Sequence, residues 1–286
     1  MRDMNRQDIK VLAVIVTYNP EPELLKRDIE ALVNQVDAIA VFDNASANSD
    51  AVASICSEYD TLDLYYNSEN LGLPVNYNRA IRIAKDKGCE WMLIMDQDTV
   101  VPDDLVASYL EYAHLPDVAI MTPVIWDINI CSIEQLKESI PDQEFSRVRD
   151  CISSASFNNV EILNKLGGFD EKLFIDQVDF DYCKNVERHG YDIVRINNCI
   201  VEHQIGNGER KRLLGKTFVV DNHSPIRTYY MFRNRVYFAR KYAISVTRDP
   251  NFFKTFGVLT AQLLFEKHKA KKLGNAVKGV IDGFKL

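Results

Sequence analysis

The sequence predicts an α/β protein whose mostly parallel, mixed sheet is flanked by helices and followed by a helical, basic C-terminal extension. Three observations carry that expectation. Short apolar, β-branched runs alternate with helix-period segments over the first hundred residues, as right-handed β-α-β crossovers require. Each run stops at a polar cluster. Charge then divides along the chain: residues 203–286 hold 17 Lys+Arg and 5 Asp+Glu, so the overall charge of −7 leaves −19 on residues 1–202.

Val11 to Val16 is a continuous apolar run, as a strand buried on both faces requires, and it ends in Thr17-Tyr18-Asn19-Pro20. Behind it Leu24, Leu25, Ile29, Leu32 and Val33 keep helical spacing. Ala38 to Phe42 reads as a second strand and stops at Asp43-Asn44. A helix over Ala51 to Glu58, a strand over Leu62 to Tyr66, a helix over Val75 to Lys87 and a strand over Trp91 to Met95 bring the chain to Asp96-Gln97-Asp98. Ligands of such sheets sit beyond the carboxyl ends of the strands. Chemistry is therefore sought at Thr17 to Asn19, Asp43-Asn44, Asn67 to Gly72 and Asp96 to Asp98.

Further on the pattern loosens. A strand near Val118 to Thr122 precedes a polar stretch, Ser132 to Arg149, and then Gly167-Gly168-Phe169-Asp170 leads into an acidic segment. After residue 203 the pattern is helical, which places a domain boundary between residues 1–210 and 211–286. Phe252, Phe256, Leu259 and Leu263 share one helix face and are followed by Lys267, Lys269, Lys271 and Lys272. Such a helix either lies in an anionic membrane surface or packs on the domain. The basic tail as a whole suits phosphates, nucleic acid or anionic lipid, or it docks on the acidic body. Its lysines and arginines interleave with apolar positions rather than forming an exposed stripe, which speaks against nucleic acid.

With 286 residues, 47% hydrophobic and only 12 Gly and 9 Pro, the chain is neither disordered nor of low complexity. The six cysteines are scattered singly with no CxxC pair, as in a reducing compartment. Met1 to Lys10 is polar and no run approaches the ~18 apolar residues of a membrane span. A cytoplasmic location follows, with peripheral contact to the inner face of the membrane as an extension of it.

Asp96 and Asp98 leave the end of a central strand one residue apart, which suits a hard divalent cation that takes one or two carboxylates and completes its shell with water and phosphate. Asp also initiates turns. Asp176, Asp179 and Asp181 fall near a helix start, with Asp176, Asp179 and Cys183 on one face if the helix includes all three. There they either cap amides or supply a general base. His203 ends a short β-like run, Ile200 to His203, and is either structural or a further metal ligand. Tyr229 to Arg235 gathers aromatic and arginine side chains, either as core or for phosphate contact.

Together, Val14 to Asn19, Asp43-Asn44, Asn70-Leu71-Gly72, Asn78-Arg79-Ala80, Asp96-Gln97-Asp98, Gly167 to Glu171 and Phe174 to Cys183 resemble the inverting family 2 glycosyltransferases of GT-A fold, and within them the bacterial rhamnosyltransferase group. The resemblance covers roughly residues 10–245. It implies that Thr17 and Asn19 line a nucleobase pocket, with Asp43 at the base or ribose and Asn70 and Arg79 bordering the nucleotide. Asp98 and His203 would hold magnesium or manganese on the donor diphosphate, Asp96 would face ribose and sugar, and Arg233 would assist the phosphates. Asp179 is implied as general base. The family's preceding Glu is replaced by Val178, a pattern found in rhamnosyltransferases, and Ser153-Ser154-Ala155 stands where many members have Ser-Gly. The implied donor is dTDP-β-L-rhamnose and the implied acceptor a cell-surface or lipid-linked glycan.

Two other readings compete. Ile94 to Val100 also fits the first motif of haloacid-dehalogenase-like phosphatases, with Asp96 as nucleophile, although three strands precede it here. A non-catalytic sugar-nucleotide-binding or membrane scaffold is the other. A nucleotide oxidoreductase is excluded, because Thr17 to Pro22 has no Gly-rich turn.

Overall fold

The computed structural model describes residues 9–127, 131–202, 209–213, 216–220, 222–245 and 250–286. It divides into two compact units, one of Met1–Glu171 with Val178–His203 and one of Lys172–Gln177 with Gln204–Leu286.

The first unit is built on an eight-stranded sheet. Strands β1 (Val11–Thr17), β2 (Ala38–Asp43), β3 (Leu62–Tyr66) and β4 (Trp91–Met95) run parallel in the spatial order β3-β2-β1-β4. Every residue of β1, β2 and β4 is buried, which is why their sequences are continuously apolar; β3, at the sheet edge, is half-exposed and its sequence is mixed. Helices α1 (Pro22–Leu32), α2 (Ser49–Cys56) and α3 (Leu73–Lys87) make the crossovers. Proline opens α1, and Gly88, in the left-handed region at φ 71°, ends α3.

Past α4 (Leu105–Leu110) and β5 (Val118–Trp126), the polar stretch at Ser132 to Arg149 forms a capped helix, α5 (Ile133–Ser139), and a short strand, β6 (Phe145–Val148). Strand β7 (Ser156–Asn159) runs antiparallel between β4 and β5. Phe157 anchors it, stacked on Trp91 at 4.8 Å and on Tyr109 at 5.1 Å. Helices α6 (Val160–Lys165) and α7 (Val178–Arg188) lead to β8 (Asp192–Glu202), parallel to β5 and antiparallel to β6. The sheet is mixed, as expected. Helix α7 starts at Val178, so Asp176 is not on it: φ of 62° places Asp176 in a left-handed turn, and the expected shared face reduces to Asp179 and Cys183.

The second unit departs from the purely helical expectation. An antiparallel hairpin, β9 (Glu209–Leu213) and β10 (Lys216–Val220), precedes α8 (Pro225–Lys241), α9 (Pro250–Phe265) and α10 (Lys269–Gly283). Leu259 of α9 is buried against Phe232 of α8 and Ala276 of α10, with Leu263 packed beside them. Packing thus covers Leu259 and Leu263 of the face predicted for a membrane, while Phe256 stays 42% exposed and the Phe252 side chain lies outside what is described. Helix α10 approaches α8 closely because it presents glycine there: a Cβ on Gly279 would lie 2.4 Å from the Tyr229 carbonyl oxygen, and one on Gly283 would lie 2.5 Å from that of Arg233. Among the described residues no helix is long and apolar enough to cross a membrane. All six cysteines are free thiols.

Candidate active site

Parallel register brings the polar clusters to one sheet edge. Thr17 and Asp43 are direct register partners, and Ile15 pairs with Met95, the residue before Asp96. Thr17 is fully buried and its hydroxyl donates to Asp43 Oδ1 at 3.3 Å. Asn19 adopts φ 49°; its amide donates to Ser46 Oγ at 2.9 Å and its Oδ1 accepts from the Ala47 amide at 2.7 Å. These bonds tie the loop after β1 to the loop after β2. The Tyr18 amide donates to Gln97 Oε1 at 2.8 Å, tying the first loop to the one after β4.

A second network fills the space beyond β2 and β3. Asn44 Nδ2 donates to Asn70 Oδ1 at 2.7 Å, and Asn44 Oδ1 accepts from Asn67 Nδ2 at 3.0 Å and the Leu71 amide at 2.8 Å. Asn67 Nδ2 also reaches Asn76 Oδ1 at 2.8 Å, and the Arg79 guanidinium donates to Asn67 Oδ1 while lying 5.1 Å over the Phe42 ring. Asn70 and Arg79 are therefore joined through Asn44 and Asn67. Thr17, Asn19, Asp43, Asn70, Arg79, Asp96 and Asp98 all belong to the first unit and to its strand-end loops or the helix that follows them.

Two residues that sequence reasoning did not single out belong to this edge. Asp28 of α1 is fully buried with no well-formed hydrogen bond to either carboxylate oxygen. Burial, then the charge of Asp98 and to a smaller extent that of Asp96, push its pKa up to about 8, and the Thr99 amide offsets only part of this. An acid inside the apolar stripe Leu25, Ile29, Leu32 was the signal that would have found it. Tyr77 of α3 is the other. Its buried phenol is held well above its ordinary pKa, first by desolvation and then by the charges of Asp96 and Asp179, against a hydrogen bond with Ser153. One hydroxyl thus senses both carboxylates.

Asp179 is half-buried at the first turn of α7, where its Oδ1 accepts from the Phe180 amide at 2.9 Å. It lines a small cavity with Ser153, Phe169, Tyr182, Cys151 and Cys183. Cys151 Sγ lies 3.6 Å from Cys183 Sγ; this contact, and then burial, raise the Cys151 thiol well above its usual range.

The carboxylates after β4 fit a hard divalent cation of partial protein ligation. The charges of Asp98 and Asp96 both act on the buried Asp28 carboxyl, and a cation held at Asp98 would weaken that field. Among the described residues no group of three His, Cys, Asp or Glu is placed to hold a metal ion. His203 lies outside the described residues. Arg233 and Asp176 belong to the second unit. There Arg233 Nη2 donates to the Leu173 carbonyl at 3.0 Å and its guanidinium lies 4.6 Å over the Tyr230 ring, while Asp176 pairs with Arg227 at 3.2 Å.

Residues 12–167 match the family described as Glycosyl transferase family 2. The chain is similar to the dTDP-rhamnosyl transferase RfbF of Shigella flexneri, 28% identical over 290 residues that cover 96% of this chain and 95% of that protein. Among solved structures it resembles GalNAc-T7 with UDP, GalNAc and Mn2+ (TM-score 0.59, 14% identity), covering 81% of this chain and spanning about half, 48%, of that one. It also resembles S. aureus TarS 1–349 in complex with UDP-GlcNAc (TM-score 0.59, 14% identity), covering 97% of this chain and 81% of that one. At that identity the two structures show the GT-A fold. The phosphatase and scaffold readings give way, because the matched segment runs through the strands and loops that build this sheet edge: the chain belongs to glycosyl transferase family 2 and is a glycosyltransferase.

Proposed function

We infer that the chain transfers L-rhamnose from dTDP-β-L-rhamnose, with inversion, to a cell-surface or lipid-linked glycan. The observation that carries a transferase site is the Tyr77 hydroxyl. The Tyr77 ring packs at 5.1 Å on Phe169, which lines one cavity with Ser153 and Asp179, and the charges of Asp96 and Asp179 both raise the pKa of its phenol, which supports a donor carboxylate and a candidate base in one locality. The rhamnose donor rests on the Ile175-Asp176-Gln177-Val178-Asp179 pattern and on the likeness to the Shigella protein along nearly its whole length.

In this reading Thr17, Asn19 and Asp43 contact the nucleoside, Asn70 and Arg79 border it, and Asp96 faces ribose and sugar. Asp179 accepts the proton of the acceptor hydroxyl as its oxygen bonds to the anomeric carbon from the side opposite the diphosphate. The carbon–oxygen bond to dTDP breaks and the nucleotide leaves with the electron pair, giving an α-L-rhamnoside. A divalent cation at Asp98 would neutralise the charge that develops on the departing diphosphate.

The test is thermal unfolding with dTDP-rhamnose, dTDP-glucose, UDP-glucose and GDP-mannose, each with and without magnesium or manganese. Ligand at 100 times its Kd adds about 2.7 kcal/mol, a shift of several degrees. A metal-dependent shift with dTDP-rhamnose alone is expected, and Asp98→Ala should lose its metal-dependent part. Asp179→Asn should keep the shift while turnover falls by about 10²–10⁴-fold. A shift with a different donor replaces rhamnose; full turnover in Asp179→Asn removes the base.

A further inference from the structure

Eleven large apolar side chains are exposed among the described residues, and nine of them belong to the second unit. Four form a line on α10 and the residue just past it: Leu273 at 48% exposure, Val277 at 54%, Ile281 at 51% and Phe284 at 53%. Their spacing of four, four and three places them on one helix face about 17 Å long. The opposite face, Ala276, Gly279 and Gly283, is buried against α8, so the line faces away from the core of its own unit.

Charge surrounds this line with one sign. Residues 250–286 contain seven lysines, at 254, 267, 269, 271, 272, 278 and 285, against two acids, Glu266 and Asp282. Both acids are committed. Glu266 is buried with Lys272, and Asp282 pairs with Lys285 at 2.9 Å and accepts from the Tyr229 hydroxyl at 3.2 Å. Lys267, Lys269, Lys271 and Lys278 are exposed, the last three on α10 itself, where Lys269 Nζ donates to the Leu264 carbonyl at 3.0 Å and Lys278 Nζ lies 5.6 Å over the Tyr229 ring.

We propose that this face of α10 docks on an anionic lipid bilayer, with Leu273, Val277, Ile281 and Phe284 entering the headgroup boundary and the flanking lysines meeting the phosphates. An apolar stripe with a cationic border is what an interfacial helix requires, and the helix is too short and too charged to span. A second copy of the chain is the poorer occupant: a two-fold contact along this face would set lysines against lysines with no uncommitted acid to meet them. The surface differs from the α9 face that the sequence suggested, where Leu259 and Leu263 are covered.

Co-sedimentation of the full chain with phosphatidylglycerol vesicles and with phosphatidylcholine vesicles tests this, alongside its mass in solution. Binding is expected to phosphatidylglycerol and to weaken in high salt. Lys271→Gln and Lys278→Gln should each lower partitioning about fivefold, and Val277→Gln with Ile281→Gln should lower it further. Donor-induced thermal shifts should be the same in every variant, which reports that the fold is intact and separates this proposal from that of the sugar donor. Absence of binding to phosphatidylglycerol, or binding indifferent to these substitutions, overturns it. So does a dimeric chain that Val277→Gln with Ile281→Gln converts to a monomer while vesicle binding stays unchanged.

Discussion

Asn78 holds Phe169 by both of its main-chain groups: its Oδ1 accepts from the Phe169 amide at 2.8 Å and its Nδ2 donates to the Phe169 carbonyl at 2.9 Å. Ninety-one residues separate the two. The side chain of α3 thereby fixes the Gly167-Gly168 turn, and Gly168, at φ 74°, leaves room for it, since a Cβ there would lie 2.3 Å from Asn78 Oδ1. Phe169 in turn packs on Tyr77 at 5.1 Å and Tyr182 at 4.7 Å, so the tie reaches the cavity beside Asp179.

Asn78→Leu should cost about 2–3 kcal/mol, because two half-buried backbone groups lose their partners. Gly168→Ala should cost a similar amount through the contact and the left-handed φ. Thermal unfolding checks both, and because the two changes strike one contact the double variant should lose less than their sum.

Gln97, between the two acids of the strand-end loop, is predicted to hold that loop rather than to touch substrate, through its bond from the Tyr18 amide. One hydrogen bond of this kind is worth about 0.5–1.5 kcal/mol. Gln97→Leu should therefore weaken donor binding about three- to tenfold in a titration, with the fold intact by circular dichroism.

Asp28 makes stability depend on pH in a defined direction. Its carboxyl ordinarily titrates at 3.8 and in the folded chain at about 8, so between these values the folded state keeps a proton that the unfolded state has lost. Its contribution to stability is complete below about pH 4 and is lost as pH rises through about 8. Asp28→Asn removes that loss, and its melting temperature should exceed that of the parent by a margin that widens from pH 4 to pH 8. The margin corresponds to a few kcal/mol, on the order of magnitude set by ~1.4 kcal/mol per pKa unit. A margin that stays constant with pH would show that Asp28 does not carry the proton.

Gly279→Ala should loosen α10 from α8, since the new methyl would lie 2.4 Å from the Tyr229 carbonyl oxygen. Overpacking of this kind costs about 1–3 kcal/mol. Chemical denaturation of the full chain, followed by a probe on α10, should show the loss there first.

The strands β1, β2 and β4 were legible because burial on both faces demands unbroken apolar sequence, and their loops were legible because strand ends carry the polar residues. Strand β7 was not: four residues, Ser156–Asn159, are too few and too polar to show a period, and their pairing with β4 and β5, anchored by Phe157 between Trp91 and Tyr109, is what makes them a strand. The β9–β10 hairpin was missed for a like reason, its Glu209–Leu213 strand being mostly charged. Asp28 shows in the sequence only as an acid inside an apolar stripe, and Tyr77 not at all, because a residue's electrostatic neighbours across the sheet leave no trace in its local sequence.

The sequence by itself determined the order of strands and helices as far as β4, the family and the polar residues at those strand ends, because each is a local matter of hydrophobic period, turn chemistry or motif. Tertiary structure decided which of those residues meet. It paired Thr17 with Asp43, joined Asn70 to Arg79 through Asn44 and Asn67, set Asp28 in the field of Asp98 and left Asp176 outside the helix that carries Asp179. The reason is physical: strand register and the packing of distant helices fix the distances between charges and hydrogen-bonding groups, and those distances arise only when the whole sheet is assembled.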